Sequence, residues 1–112
     1  TKRSNSTVST QALTLLNSDA MTKAAAAFAD RVLAERPDDP VGRAVLIAFT
    51  RPTSSDEHTL LSEFVVEQTS RYLTEKSEAE RQKPKAKDES HRKAVADLCH
   101  MLMSANEFVY VD

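Results

Sequence analysis

The stretch Glu35-Arg36-Pro37-Asp38-Asp39-Pro40 decides how the first half of the chain folds, because it separates two short helical patterns. Apolar residues recur at helical spacing in residues 21–36 before it and in residues 41–49 after it. Pro37 cannot continue the first helix, whereas Pro40 suits the first turn of the second, where its missing N–H would have no partner. We therefore predict an αα-hairpin with a tight corner. The residues that form this corner are Arg36, Pro37, Asp39 and Pro40.

The composition of the chain argues against several functional classes. Its 112 residues carry a net charge of −2, so no overall positive field attracts nucleic acid or an anionic membrane. No apolar run approaches the roughly 20 residues that a membrane helix needs, and the first residues lack the apolar core of a secretory signal. Gly42 is the single glycine, which argues against phosphate-binding loops and multi-hairpin β folds. We expect a soluble, intracellular, mostly helical protein.

The chain divides into three parts by composition. Residues 1–10 are rich in serine and threonine and predict a flexible tail, and residues 11–52 hold the hairpin. Residues 53–112 predict a helical extension. Its first helix begins where Ser54 and Glu57 have the spacing of a capping box.

A segment rich in charged residues separates the two predicted helices of this extension. Residues 78–89 are charged and contain a proline, so they predict a linker or a frayed helix end. Asp88 or Ser90 then caps a fourth helix, and Asn106 is a plausible stop for it. Residues 108–111 form a short β-prone tail. The chain ends abruptly after this tail, so we expect it to be part of a longer protein.

Residues 12–51 resemble the dimerisation/docking domain of the RIIa type. That domain is found in regulatory subunits of cAMP-dependent protein kinase, with relatives in histone-methyltransferase core subunits and ciliary radial-spoke proteins. The resemblance is carried by the segment AERPDDPV, residues 34–41, which lies between a helix rich in small and aliphatic residues and a short apolar helix. It implies that two hairpins pack into a dimeric four-helix X-type bundle. The first helices of both protomers then form a shallow groove for an amphipathic helix.

We therefore expect an all-α fold, in which the αα-hairpin forms the dimeric X-type bundle and a two-helix extension follows. The expected function is non-catalytic: the chain forms a homodimer and binds an amphipathic helix of a scaffold or anchoring protein. The family range implies a cytosolic, ciliary or flagellar, or nuclear location. The residues assigned to the dimer and docking interface are Leu13, Leu15, Leu16, Met21, Ala24, Ala25, Phe28 and Val32.

Two other interpretations fit the same helices. The apolar stripe of the first helix equally fits the core of a single chain. A helix that closes on a proline is also typical of tetratricopeptide repeats, which predicts a monomeric assembly subunit of a larger complex. Ile47 occupies the position of that repeat's glycine, however, and no second copy of the pattern follows at the repeat spacing.

The chemically active residue types do not form a catalytic or metal-binding pattern. Cys99 and His100 are adjacent, so they point in different directions on a helix, and no pair of cysteines or histidines has metal-ligand spacing. Cys99 lies in an apolar helix, where a buried thiol is inert. Helix capping explains Asp38 and Asp39. We expect no enzyme activity, no metal and no cofactor. A solvated linker explains the basic cluster of Lys83, Lys85, Lys87, Arg92 and Lys93.

Overall fold

The computed structural model describes the backbone of residues 18–109 and the side chains of residues 18–105. This range is all-helical, as predicted, and contains no strand. Its helices are α1 (Asp19–Glu35), α2 (Pro40–Phe49), α3 (Ser55–Glu75), α4 (Glu78–Arg81) and α5 (Ala86–Val109).

Side chains at the helix starts explain where the first three helices begin. The hydroxyl of Ser18 accepts a hydrogen bond from the backbone N–H of Met21 and caps α1. The carboxylate of Asp39 does the same for α2, whose first residue is Pro40. Ser54 caps α3 through the N–H of Glu57 at 3.2 Å. The predicted corner and the predicted start of α3 are therefore confirmed.

The predicted boundaries in the second half of the chain are wrong in two places. The segment predicted as a charged linker or a frayed helix end contains the short, separate helix α4, and α5 already begins at Ala86. Ser90 does not cap this helix, because it lies in the second turn and is fully buried. At the other end, α5 continues through Asn106 to Val109, so the part of the predicted β-prone tail that is described is helical.

The long helix α5 is the centre of the fold. It packs against α1, α2 and α3, and among the described residues it contributes the largest fully buried side chain, Leu98. Alanines on α1 and α2 let the backbones of these helices approach α5 closely. The guanidinium of Arg92 on α5 also donates two hydrogen bonds to the carboxylate of Asp30 on α1. The buried residues of this core are Ala25, Ala29, Val32, Val41, Ala44, Val45, Ala48, Val65, Ala94, Val95, Leu98, Cys99 and Leu102.

The hairpin and the extension share this one core. Val32 and Val45 are fully buried in it, and Phe28 packs against it while half-buried. Leu46 of α2, in contrast, is 40% exposed. The apolar stripe of α1 therefore packs against α5 of the same chain. This agrees with the interpretation in which the stripe belongs to the core of a single chain.

Candidate functional site

Helices α3 and α5 run antiparallel along much of their length. Gln68 of α3 contacts Asp97 of α5, and Lys76, which directly follows the last residue of α3, pairs with Glu89, eight residues before Asp97 on α5. The residue numbers rise along one helix as they fall along the other. The two helices therefore form two roughly parallel walls, and the start of α5 lies beside the end of α3.

A cluster of polar side chains fixes the register of these walls. The hydroxyl of Tyr72 donates a hydrogen bond to Oδ2 of Asp97 at 2.6 Å, and the amide of Gln68 donates to the same oxygen at 2.9 Å. The hydrogen bond to Asp97, together with burial, raises the pKa of Tyr72 to about 12. The ammonium of Lys93 lies 5.6 Å from the centre of the tyrosine ring, within the range of a cation–π contact.

An open groove of about 330 Å³ lies between the same two helices. Its lining is mostly apolar, and it includes the two basic-type side chains Lys87 and His91 on its α5 side. Val66 projects from α3 with 67% of its surface exposed, so it adds exposed apolar surface to the groove. The residues that line the groove are Val65, Val66, Thr69, Ser70, Leu73, Lys87 and His91.

A second, more open cleft continues along α3 from this groove, because Val66 lines both. It extends toward the start of α3 and is more polar than the first. Two exposed carboxylates, Glu63 and Glu67, lie on it. Its lining residues are His58, Thr59, Ser62, Glu63, Val66 and Glu67.

Three side chains beside this second cleft are of the types found in hydrolase triads. Nε2 of His58 donates to Oδ1 of Asp39 at 2.8 Å, and Oγ of Ser62 lies 3.4 Å from Nδ1 of His58. The serine contact is longer than the 2.6–3.2 Å of an effective nucleophile–base pair. The carboxylate of Asp39 also caps α2 through the N–H of Gly42 at 3.1 Å. This arrangement is better explained as a structural link between the corner and α3.

The residues expected to form the dimer and docking interface occupy different environments. Ala25 and Val32 are buried against the rest of the chain, Met21 and Phe28 are half-buried, and Ala24 is exposed. The predicted groove residues Leu13, Leu15 and Leu16 lie outside the described residues. At the corner, Arg36 and Pro37 are exposed, whereas Asp39 and Pro40 are half-buried.

Sequence reasoning missed Asp97 and the groove residues Lys87 and His91. Asp97 lies between apolar residues of α5, and a lone carboxylate in such a stretch is a signal for a buried polar contact. Lys87 was assigned to a solvated cluster, and its position beside α3 was missed because that position depends on tertiary packing. No local pattern in the sequence indicates that packing.

Among the side chains of residues 18–105, no group of three histidine, cysteine or acidic residues is placed to hold a metal ion. Within residues 18–109, no helix combines the length and the apolar character that crossing a membrane requires. Cys99 is buried, as predicted, and burial raises the pKa of its thiol to about 12.

Comparison with known families corrects the resemblance on which the dimerisation and docking interpretation depended. Residues 1–65, more than half of the chain, match the family PSD1, described as a protein of unknown function (DUF1553). Comparison with curated proteins and with solved structures gives no match. The RIIa resemblance was wrong, because it rested on a short proline-bounded corner that any hairpin of this kind can contain. The expected ciliary or flagellar location rested on that resemblance and is therefore no longer supported. The chain belongs to the PSD1 (DUF1553) family.

Proposed function

We propose that this chain is a non-catalytic interaction module that binds an amphipathic helix of a partner protein in the groove between α3 and α5. The observation that carries the proposal is the apolar wall formed by Val65, Val66 and Leu73, in which Val66 remains 67% exposed. Covering an exposed apolar wall releases water and is favourable by roughly 25 cal/mol for each Å² removed from solvent.

The shape of the groove suits a helix. Two antiparallel helices leave a furrow between them, and a third helix can lie in it with side chains at i, i+3, i+4 and i+7 directed inward. The furrow is open to solvent, so the occupant's opposite face can stay polar. An amphipathic helix meets both requirements.

The charges of the groove favour an acidic occupant at one end. Lys87 lies on the rim and is exposed, and among the side chains of residues 18–105 it forms no ion pair. His91 lies one turn further along α5. A carboxylate of the partner helix placed here would meet a cation that has no competing partner.

A synthetic peptide tests the proposal. The probe is a fluorescein-labelled amphipathic peptide of about 14 residues with leucines at helical i, i+3, i+4 and i+7 positions and glutamates on its polar face. Fluorescence anisotropy should show saturable binding to the full chain. Val66→Asp should raise the dissociation constant about tenfold or more, because it places a charge against the apolar face of the peptide.

Leu60→Asp is a matched control for this substitution. Leu60 lies on the same helix, is 66% exposed, and does not line the groove. It should change the dissociation constant by less than about twofold, since binding effects arise from residues inside the interface. Equal losses in the two variants, or no saturable binding to the unmodified chain, would overturn the proposal.

A second copy of this chain is the competing occupant of the groove. Light scattering over a concentration series distinguishes the two cases. A monomer that binds the peptide supports the proposal. A dimer that dissociates in Val66→Asp but not in Leu60→Asp would replace the partner helix with a second copy of the chain.

A further inference from the structure

The groove and the adjoining cleft together have one basic end and one acidic end. Lys87 and His91 lie near the start of α5, beside the end of α3 where Lys76 pairs with Glu89. Glu63 and Glu67 lie on the cleft toward the start of α3. The α3 segment from residue 63 to residue 73 is about 15 Å long, which is the length of roughly ten helical residues.

The carboxylates at the acidic end are available to a ligand. Both Glu63 and Glu67 are exposed, and neither forms an ion pair with any side chain of residues 18–105. Val66 lies between them and the groove, and it lines both spaces. A helix laid along the apolar wall would therefore have cations near one of its ends and carboxylates near the other.

We infer that the bound helix runs antiparallel to α3, with acidic side chains in its first turn facing Lys87 and His91 and basic side chains in its last turn facing Glu63 and Glu67. The inference rests on the proposed function. It adds the charge pattern and the direction of the occupant.

The physical basis of this direction is the helix dipole. A helix is stabilised by acidic residues in its first turn and basic residues in its last turn. The groove needs an acidic partner beside Lys87 and a basic partner beside Glu63 and Glu67. Only a helix whose amino-terminal end lies at Lys87 satisfies both requirements. Because α3 runs from Glu63 toward Leu73, this helix is antiparallel to α3.

Two peptides of identical composition test the charge pattern. Both have the same leucine stripe and blocked ends; one carries glutamates in the first turn and lysines in the last, and the other has these two blocks exchanged. The first peptide should bind the full chain about three- to tenfold more tightly, and the difference should shrink at high salt. Equal affinities would overturn the inference.

A charge reversal on the protein tests the basic end directly. Lys87→Glu should weaken the first peptide about three- to tenfold, and exchanging the peptide's first-turn glutamates for lysines should restore its affinity to this variant. Lys83→Glu is the control, because it makes the same charge change at an exposed residue that does not line the groove. Equal effects of the two substitutions would overturn the assignment of Lys87.

A nitroxide label on the first peptide reports the direction. A label on its amino terminus should broaden the amide signals of residues 87–91, and a label on its carboxyl terminus should broaden those of residues 62–67. The reverse pattern would overturn the inference. The two peptides could also bind, lose affinity for Val66→Asp and show no preference for charge order. That result would overturn only this inference and leave the proposed function intact. If neither peptide binds, both fail.

Discussion

Oδ1 of Asp39 lies 2.8 Å from Nε2 of His58, so the corner between α1 and α2 is joined to the first turn of α3. The same oxygen accepts the N–H of Gly42 at 3.1 Å and thereby caps α2. One carboxylate thus fixes the start of one helix and the position of another. Removing this side chain should therefore affect both the cap of α2 and the contact with α3.

Asp39→Ala should lower the free energy of unfolding by about 1.5–2.5 kcal/mol, since it removes a helix cap and one side-chain hydrogen bond. Urea unfolding followed by circular dichroism measures this loss. Asp38→Ala is the matched control, because Asp38 is exposed and, among the described residues, its side chain pairs with Arg36 alone. Its effect should stay within about 0.5 kcal/mol. Similar losses in both variants would contradict the role assigned to Asp39.

The stability of the chain should decrease at acid pH partly through the same residue. The hydrogen bond from His58, and to a smaller extent the N–H of Gly42, hold the pKa of Asp39 below its ordinary value of 3.8 although burial opposes them. A carboxyl whose pKa is lower in the folded state stabilises the fold above its unfolded pKa. That contribution is lost as the pH falls through the folded pKa.

Asp39→Asn isolates this contribution, because asparagine caps helices about as well as aspartate but does not titrate. Urea unfolding from neutral pH down to about pH 2.5 should show a shallower loss of stability in Asp39→Asn than in the unmodified chain. Glu57, whose pKa is lowered by Arg51, remains in both proteins and accounts for part of the shared slope. Identical pH profiles would show that Asp39 contributes nothing to the acid sensitivity.

The ionisation of Tyr72 should report its contact with Asp97. The chain has two tyrosines, so Tyr110→Phe leaves Tyr72 as the only one. Ultraviolet absorbance in this background should show ionisation near pH 12, or at alkaline unfolding if that comes first, instead of near the ordinary value of 10. Asp97→Asn should move the transition toward 10, because it removes the acceptor charge. An unchanged transition in Asp97→Asn would contradict the proposed cause.

The features that were predicted correctly are those determined by a few neighbouring residues. Pro37 and Pro40 favour the corner through their own backbone restrictions, and Ser54 caps α3 through an amide three residues away. The start of α5 was misplaced because several polar residues nearby can cap a helix. The helix begins earlier, at Ala86, and both Ala86 and Ser90 are buried, which no local pattern indicates.

The candidate site was not predictable in the same way. Asp97 meets Gln68 and Tyr72 across 29 and 25 residues of sequence, and Lys87 reaches the groove only because α3 and α5 pack antiparallel. The stripe of α1 illustrates the same limit. Its periodicity predicts an apolar face correctly, but the sequence does not identify α5 as the surface that covers it.

Cys99 should react with thiol reagents only when the chain opens. Its side chain is fully buried, and burial alone raises the pKa of the thiol to about 12. At about pH 8, modification by a disulfide reagent should therefore be slow in the folded chain and fast in denaturing urea. Destabilisation by Asp39→Ala should accelerate it about tenfold for each 1.4 kcal/mol lost, if opening is fast and reversible. Equal rates in folded and denatured chain would contradict the burial.

Gly42→Ala should destabilise the chain, although alanine is the better helix former by about 1 kcal/mol. A Cβ atom at this position would collide with the carboxylate of Asp39, most closely with its Oδ2 atom. The carboxylate must then move, and it gives up its contacts with the N–H of residue 42 and with His58. We expect a net loss of about 1 kcal/mol, as the cap and hydrogen bond outweigh the gain in helix propensity.

The sign of this effect should reverse when Asp39 is absent. In an Asp39→Ala background the collision disappears, so Gly42→Ala should stabilise the chain by up to about 1 kcal/mol. Urea unfolding of the four proteins in this cycle measures the coupling between the two positions. A stabilising Gly42→Ala in the unmodified chain would mean that the carboxylate relaxes without losing its hydrogen bonds. The corner would then tolerate any small residue at position 42, and the glycine would reflect no requirement of the cap.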